Sequence, residues 1–139
     1  MALDPGTRTI GVAACNSDRT LVSPIETIER TKFSEDAARI FQLYDERACK
    51  GLIIGLPLHM DGGDGRRAQS ARSLATNLLR LRDLPIAYQD ERLSTFEAGE
   101  TLSEAGIPLH RHKEMIDAEA AAVILEDALL RIAEGVPQE

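Results

Sequence analysis

The sequence predicts an α/β fold built on a mixed five-stranded sheet with helices on both faces. Three short apolar segments joined by tight turns open the chain, and amphipathic helical patterns then alternate with two further apolar runs. The resulting order, β-β-β-α-β-α-β-α-α, joins an antiparallel meander to parallel βα units. We expect right-handed crossovers and the first strand at the centre of the sheet.

The strands are short and apolar. "MALD", "GVAACN" and "TLVSPIETI" predict the first three. Between the first two, residues 4–7 have the type II β-turn pattern, because Pro5 presets φ at the second position and Gly6 supplies a positive φ at the third. "GLIIGLP" is typical of a strand covered on both faces, and "PIAYQDER" predicts the fifth strand.

Apolar residues at helical spacing predict the helices. "SEDAARIFQLYDERAC" predicts a helix with Ser34 as its N-cap. A second helix is predicted from Arg66 to Leu81. "STFEAGETLSEAG" predicts a short helix that begins with a capping box at Ser94 and ends at Gly106. The last helix is predicted over 111–134.

Length, apolar content, cysteine count and net charge limit the classes of protein to which this chain can belong. With 139 residues, we expect one domain over 1–139. No apolar run approaches the ~20 residues of a membrane span. We interpret Cys15 and Cys49 as reduced, buried packing residues of a cytosolic protein. A net charge of −7 argues against loose, non-specific binding to nucleic acid, but it leaves room for a local basic rim.

Two strands end in carboxylates. Asp4 ends the first strand, and Asp90 and Glu91 end the last, so all three are predicted at one edge of the sheet, where sites of open α/β sheets form. Adjacent strand residues point to opposite faces, so only one of Asp90 and Glu91 is expected to enter a site with Asp4. The alternatives are that Asp4 only accepts a turn hydrogen bond, and that the other acids form a surface ion pair with Arg92.

A third carboxylate, Asp117, is predicted on an apolar helix face. At ~100° per residue it shares that face with Ala121, Ile124 and Ala128. Glu119 and Glu126 fall on the opposite side, which we expect to be solvated. A buried carboxylate must be paired, protonated or bound to a metal. The run of three alanines at 120–122 would let the helix lie close to the sheet and bring Asp117 near Asp4; the alternative is that Asp117 caps or pairs with an Arg.

Three converging carboxylates favour Mg²⁺ or Mn²⁺, which prefer oxygen ligands. His59, His110 and His112 lack zinc-site spacing with either Cys. Two such ions catalyse in-line displacement at phosphorus, one activating the attacking water and the other stabilising the leaving oxygen.

Phosphate-binding groups are predicted near the same edge. A Gly-rich loop (Gly62, Gly63, Gly65) precedes a helix that starts with Arg66 and Arg67, and a helix N-terminus binds anions. The loop matches neither the P-loop nor the dinucleotide-binding pattern. Further cations are expected in loops at this edge: Arg8, Arg92, Arg111, His112 and Lys113. The alternative is an ordinary solvated loop.

Four ordered blocks, "LDPGTRTIGVA", "GLIIGLPLHMDG", "DERLST" and "IDAEAAAVIL", resemble the motifs of the YqgF/RuvX family over nearly the whole chain. The resemblance implies a ribonuclease H-like fold and a bacterial, cytoplasmic nuclease that processes the 5′ end of precursor 16S ribosomal RNA; some members are discussed as Holliday junction resolvases. It also implies a site of Asp4, Glu91 and Asp117, with Asp90 as a neighbour.

The sequence departs from that family at two points. Only three residues precede Asp4, so the first strand is short. Related resolvases carry an acidic residue at the end of the fourth strand, where this chain, like the YqgF family, has Gly55-Leu56-Pro57; Glu91 is expected to replace that acid.

We therefore expect a Mg²⁺- or Mn²⁺-dependent nuclease whose metal ligands are Asp4, Glu91 and Asp117. The groups expected to contact nucleic acid are Gly6, Thr7, Arg8, Arg66, Arg67 and Arg92. The expected partners are nucleic acid, as precursor rRNA or branched DNA, and ribosomal particles. We expect no membrane association and a monomer or homodimer. The alternatives are a junction resolvase, a non-catalytic ribosome-assembly factor, and a phosphotransferase suggested by the D-x-G-T motif.

Overall fold

The computed structural model describes residues 1–56, 65–90 and 109–134, with side chains from 116 to 133 in the last segment. The elements are β1 (Ala2–Pro5), β2 (Thr9–Cys15), β3 (Val22–Glu29), α1 (Phe33–Glu46), β4 (Leu52–Leu56), α2 (Arg66–Leu81), β5 (Ile86–Asp90) and α3 (Leu109–Glu134). The helix predicted over 94–106 lies outside the described residues.

The five strands form one mixed sheet in the order β3-β2-β1-β4-β5, so β1 is central as predicted. β1 and β2 pair antiparallel, as do β2 and β3. β4 pairs parallel with both β1 and β5. The carboxyl ends of β1, β4 and β5 therefore lie at one edge of the sheet, which we call the carboxyl edge.

Alternation along β1 assigns the two faces of the sheet. Leu3 packs into a core with Ile40 of α1 and Leu78 of α2. Ala2, its neighbour, points the other way and packs against Ile124 of α3. Because strand side chains alternate, Asp4 lies on the same face as Ala2, under α3. The prediction of helices on both faces is confirmed.

α3 lies very close to the sheet because the facing residues are small. Ala120, Ala121 and Ala122 are buried, and the last two pack with Ala13 of β2. The closest approach is at Gly11, where an added Cβ would lie 1.9 Å from the main-chain carbonyl oxygen of Asp117. Only glycine fits this position, since the helix backbone occupies the space of any side chain.

The predicted turn over residues 4–7 is wrong. β1 continues to Pro5, which pairs with Ile10, and the Gly6 N–H donates to the Thr9 carbonyl oxygen at 2.8 Å. The loop between the strands is therefore residues 6–8, and the φ of Gly6 lies outside the left-handed region. Pairing with β2 extends the ladder past the local Pro-Gly signal, so the turn lies further along the chain.

The predicted N-cap of α1 is also wrong. The helix begins at Phe33 with Lys32 as N-cap and has no side-chain capping hydrogen bond, which places Ser34 inside its first turn. The loop before it is held from within the helix, because the Thr31 N–H donates to Asp36 Oδ1 at 3.1 Å. The Glu35 N–H donates to the Lys32 carbonyl oxygen at 3.0 Å, so this first-turn donor is satisfied without a capping serine.

Cys15 and Cys49 are free, as predicted, but partly exposed rather than buried. Both line a cavity of about 430 Å³ beside Met1 and Gly51, at the amino ends of β1 and β4. The cavity thus lies at the edge opposite Asp4, and none of its lining residues in the described part of the chain is Asp, Glu or His.

In the described segments, no helix combines the length and the apolar character required to cross a membrane.

Replacing Gly11 by Ala should destabilise the protein by roughly 3 kcal/mol, because the new methyl group must displace α3 from the sheet. Urea unfolding measures this loss. Gly51→Ala is the matched control, since a Cβ there meets Pro85 atoms at 3.4 and 3.5 Å, an ordinary contact distance. Equal stability of the Gly11→Ala and Gly51→Ala variants would contradict the close helix–sheet contact.

Candidate active site

Asp4 lies at the carboxyl edge near the end of β1, and its residue surface is only 6% exposed. It is paired with Gly11 of β2, on the face covered by α3. A carboxylate at this depth is costly unless a cation or hydrogen-bond donors compensate its charge. Its position therefore differs from that of a surface turn aspartate.

Asp117 lies on α3 directly above the same strand pair. Its main-chain carbonyl occupies the space beside Gly11, the partner of Asp4 in the sheet. Paired Cα atoms of antiparallel strands are about 4.5–5.5 Å apart, so the backbone of Asp117 lies one strand spacing away from Asp4. Asp117 itself is half-buried, which is less than the burial predicted for it.

The side chain of Asp117 is held by the sheet. Thr9 Oγ1 of β2 donates a hydrogen bond to Asp117 Oδ2 at 2.5 Å. One carboxylate oxygen is thus engaged by a strand hydroxyl, while Asp117 Oδ1 can accept another partner. Asp4 and Asp117 therefore lie on one face of the sheet, each next to Gly11.

Asp90 lies on the other face. It pairs with Leu56, which belongs to the core beneath α1 and α2. Since residues paired across two parallel strands share a face of the sheet, Asp90 lies on the side of Leu56 and points away from α3. Glu91 and Arg92 lie outside the described residues. Among the residues that the structure describes, no group of three or more His, Cys, Asp or Glu is assembled for a metal.

The turn after β1 forms the rim next to Asp4. Thr7 and Arg8 are exposed at its tip. Arg30, which follows β3, holds it twice: Nη1 donates to the Gly6 carbonyl oxygen at 2.7 Å, and its main-chain N–H donates to the Arg8 carbonyl oxygen at 2.8 Å. The exposed residues at the tip are therefore presented by an anchored turn.

Arg66 and Arg67 are exposed in the first turn of α2. α2 follows β4 and returns toward the start of β5, so its N-terminus lies toward the carboxyl edge. That first turn contains no acidic residue, and its N-cap Gly65 supplies no side-chain hydrogen bond. Two cations at the positive end of a helix dipole concentrate positive potential there, an arrangement suited to an anion. The described residues do not include Gly62 and Gly63, nor the side chains of residues 111–113.

The face of α3 predicted to be solvated is only partly so. Glu126 is exposed, but Glu119 is half-buried. Burial first, and the nearby charge of Glu126 second, raise the pKa of Glu119 above its ordinary value. The helix is therefore covered over a wider arc than the sequence pattern suggested.

Sequence reasoning missed four residues around this site: Thr9, Gly11, Arg30 and Gln89. A glycine inside a strand signals close backbone approach, so Gly11 was detectable. Thr9 is two residues from Gly11 and therefore shares its face. Gln89 is only 4% exposed. It lies on the α3 side of β5 because its partner Gly55 shares a face of β4 with Ile53, which packs against α3. No sequence pattern identified Arg30.

Comparison with known sequences identifies one family for this chain. A family model described as "RuvX: Holliday junction resolvase" matches residues 1–131. A protein of Paramagnetospirillum magneticum named "Putative pre-16S rRNA nuclease" is 49% identical over 93% of this chain and 83% of its own length. A protein of the same name from Caulobacter vibrioides is 49% identical over 95% of this chain and 86% of its own length. One from Rhodospirillum rubrum is 50% identical over 93% of this chain and 81% of its own length.

Comparison of structures gives the fold. The chain is similar to T. thermophilus RuvC in complex with a Holliday junction substrate, with a TM-score of 0.59 over 98% of this chain and 96% of that one. The free T. thermophilus RuvC structure gives a TM-score of 0.56. Sequence identity is 11% and 13%, so the shared feature is the ribonuclease H-like fold.

Replacing Arg30 by Gln should loosen the turn after β1, because the charged donor to the Gly6 carbonyl is lost. A hydrogen bond to a charged group contributes about 1.5–3 kcal/mol, so amide hydrogen exchange at Gly6 should accelerate by roughly 10- to 150-fold. Arg39→Gln is the control, because Arg39 pairs with Glu26 on α1's side of the sheet. Unchanged exchange at Gly6 in Arg30→Gln would contradict the anchoring role.

Proposed function

Because this chain belongs to the RuvX family, we propose that it is a divalent-metal-dependent nuclease that hydrolyses phosphodiester bonds. One observation carries the proposal: the buried Asp4 pairs with Gly11, whose missing side chain admits the backbone of Asp117. This contact supports a shared site for the two carboxylates at the carboxyl edge, although they are 113 positions apart in the sequence.

The described donors fit a hard cation. Both are carboxylates, the ligands that Mg²⁺ and Mn²⁺ prefer, and one of them is buried where an uncompensated charge is costly. We assign the metal to Asp4 and Asp117, with Glu91 as the third ligand. Asp90 faces away from Asp4, so we leave it out of the proposed ligand set.

When bound, Mg²⁺ or Mn²⁺ would supply an activated water and charge stabilisation at phosphorus. The contribution of this chain is to fix the ligands. Asp4 is held in the central strand, and Asp117 is held by the helix contact at Gly11 and by the Thr9 hydroxyl. The cover of α3 excludes water from one side of Asp4, which strengthens electrostatic interactions there.

The nucleic acid would be positioned by groups at the rim. The backbone of Gly6 and the side chains of Thr7 and Arg8 lie on the turn next to Asp4, and we assign them to the phosphates flanking the cleaved bond. Arg66 and Arg67 would hold the strand further away, together with Arg92. Such contacts position a strand without reading its bases.

We propose precursor 16S rRNA as the substrate, cleaved at its 5′ end in the cytoplasm, in association with ribosomal particles. The names of three bacterial relatives at 49–50% identity support this choice. A Holliday junction is the second candidate, supported by the description of the family model that matches residues 1–131. Cleavage assays with both substrates, each with Mg²⁺ and with Mn²⁺, distinguish the two.

Asp4→Asn and Asp117→Asn should each reduce cleavage of precursor 16S rRNA by at least roughly 100-fold, since loss of a direct ligand exceeds the cost of outer-shell changes. Gel-based cleavage assays with Mg²⁺ measure this. Asp18→Asn is the matched control, because Asp18 is exposed between β2 and β3 at the opposite edge. Full activity in either site variant would refute its assignment.

Neutralising the first turn of α2 should weaken RNA binding while leaving the chemistry intact. For Arg66→Gln with Arg67→Gln, we expect a higher KM, a nearly unchanged kcat, and a salt dependence of binding reduced by roughly one unit of slope for each lost phosphate contact. Arg47→Gln is the control, since the exposed Arg47 lies at the opposite edge beside the cavity. The same salt slope in all three proteins would remove α2 from the RNA path.

A further inference from the structure

We propose that Thr9 is a positioning residue that aims the carboxylate of Asp117 at the divalent ion. The inference rests on the proposed function and extends it to a residue outside the predicted ligand set. Its basis is the hydrogen bond from Thr9 Oγ1 to Asp117 Oδ2, 2.5 Å long, between residues 108 positions apart.

Thr9 is itself rigidly held. Its carbonyl oxygen accepts the Gly6 N–H at 2.8 Å, and it pairs with Glu29 of β3. A β-branched side chain on a strand has restricted χ1 freedom, so the hydroxyl has a defined position relative to the sheet. Asp4 is fixed to the same sheet through the β1–β2 ladder. Thr9 therefore relates the Asp117 side chain to the frame that holds Asp4.

Asp117 needs such a restraint because its backbone contact does not orient its carboxylate. The contact at Gly11 involves the main chain of Asp117, and the half-buried side chain retains rotamer freedom. A donor on Oδ2 selects one orientation and leaves Oδ1 for the cation. Outer-shell hydrogen bonds to metal ligands commonly act in this way.

A purely structural role makes a different prediction. If the bond only fastens α3 to the sheet, its loss lowers the free energy of unfolding and leaves metal affinity unchanged. The Gly11 contact and the buried alanines already hold the helix, so metal affinity is the measurement that separates the two roles.

The experiment measures Mn²⁺ binding by titration calorimetry, with the full chain and no nucleic acid. Thr9→Val removes the hydroxyl and keeps the shape, whereas Thr9→Ser keeps the hydroxyl. We expect Thr9→Val to weaken Mn²⁺ binding about tenfold and Thr9→Ser to remain within about twofold of the unmodified protein. In cleavage assays, kcat should fall in Thr9→Val while the KM for RNA stays unchanged.

Thr27→Val is the matched control. Thr27 is paired with Gly11 on the same face, and its buried Oγ1 has no hydrogen-bond partner among the described residues. Its loss should leave Mn²⁺ affinity unchanged. Urea unfolding of every variant verifies folding, and Thr9→Ala serves as a second hydroxyl-free variant if Thr9→Val does not fold.

Unchanged Mn²⁺ affinity in the hydroxyl-free Thr9 variant, alongside weakened binding in Asp117→Asn, would overturn the role of Thr9 and leave the proposed nuclease intact. Unchanged affinity in Asp117→Asn would overturn both. An equal loss of affinity in Thr27→Val would also overturn the inference, because the effect would then not depend on the bond to Asp117.

Discussion

The contact between the backbone of α3 at Asp117 and the bare Cα of Gly11 is the constraint on which the site depends. Without a side chain at Gly11, the helix reaches the sheet, and the buried alanines that follow keep it there. The same contact determines which helix residue lies above β1. The position of Asp117 relative to Asp4 is thus a consequence of packing between small residues, and the charged groups themselves do not create it.

The two edges of the sheet have different chemistry. At the carboxyl edge lie Asp4, the anchored turn and the arginines of α2. At the amino edge lies a cavity of about 430 Å³ with Cys15 and Cys49 in its wall and no acidic residue among the described residues that line it. The proposed metal-dependent hydrolysis would use carboxylates to hold a hard cation, and Asp4 and Asp117 lie at the other edge.

The sequence predicted the sheet, its central strand and the two faces, because alternating apolar strands and amphipathic helices leave few arrangements. It also predicted that the helix carrying Asp117 lies close to the strand carrying Asp4, and the contact at Gly11 agrees with that placement; their role as metal ligands stays a prediction. It placed the first turn and the cap of α1 wrongly, since cross-strand pairing at Pro5 and main-chain hydrogen bonding to Lys32 override local signals. Arg30 and Thr9 went undetected because a hydrogen bond between distant residues leaves no local pattern.

The sequence by itself determined which residue types are available and which element carries each, because periodicity and strand ends are local properties. Tertiary structure alone decided that Asp90 faces away from Asp4, that Thr9 contacts Asp117, and that Arg30 anchors the turn. Those outcomes depend on strand register and on the depth at which α3 packs. Both result from the summed contacts of the whole sheet, and no short stretch of sequence encodes them.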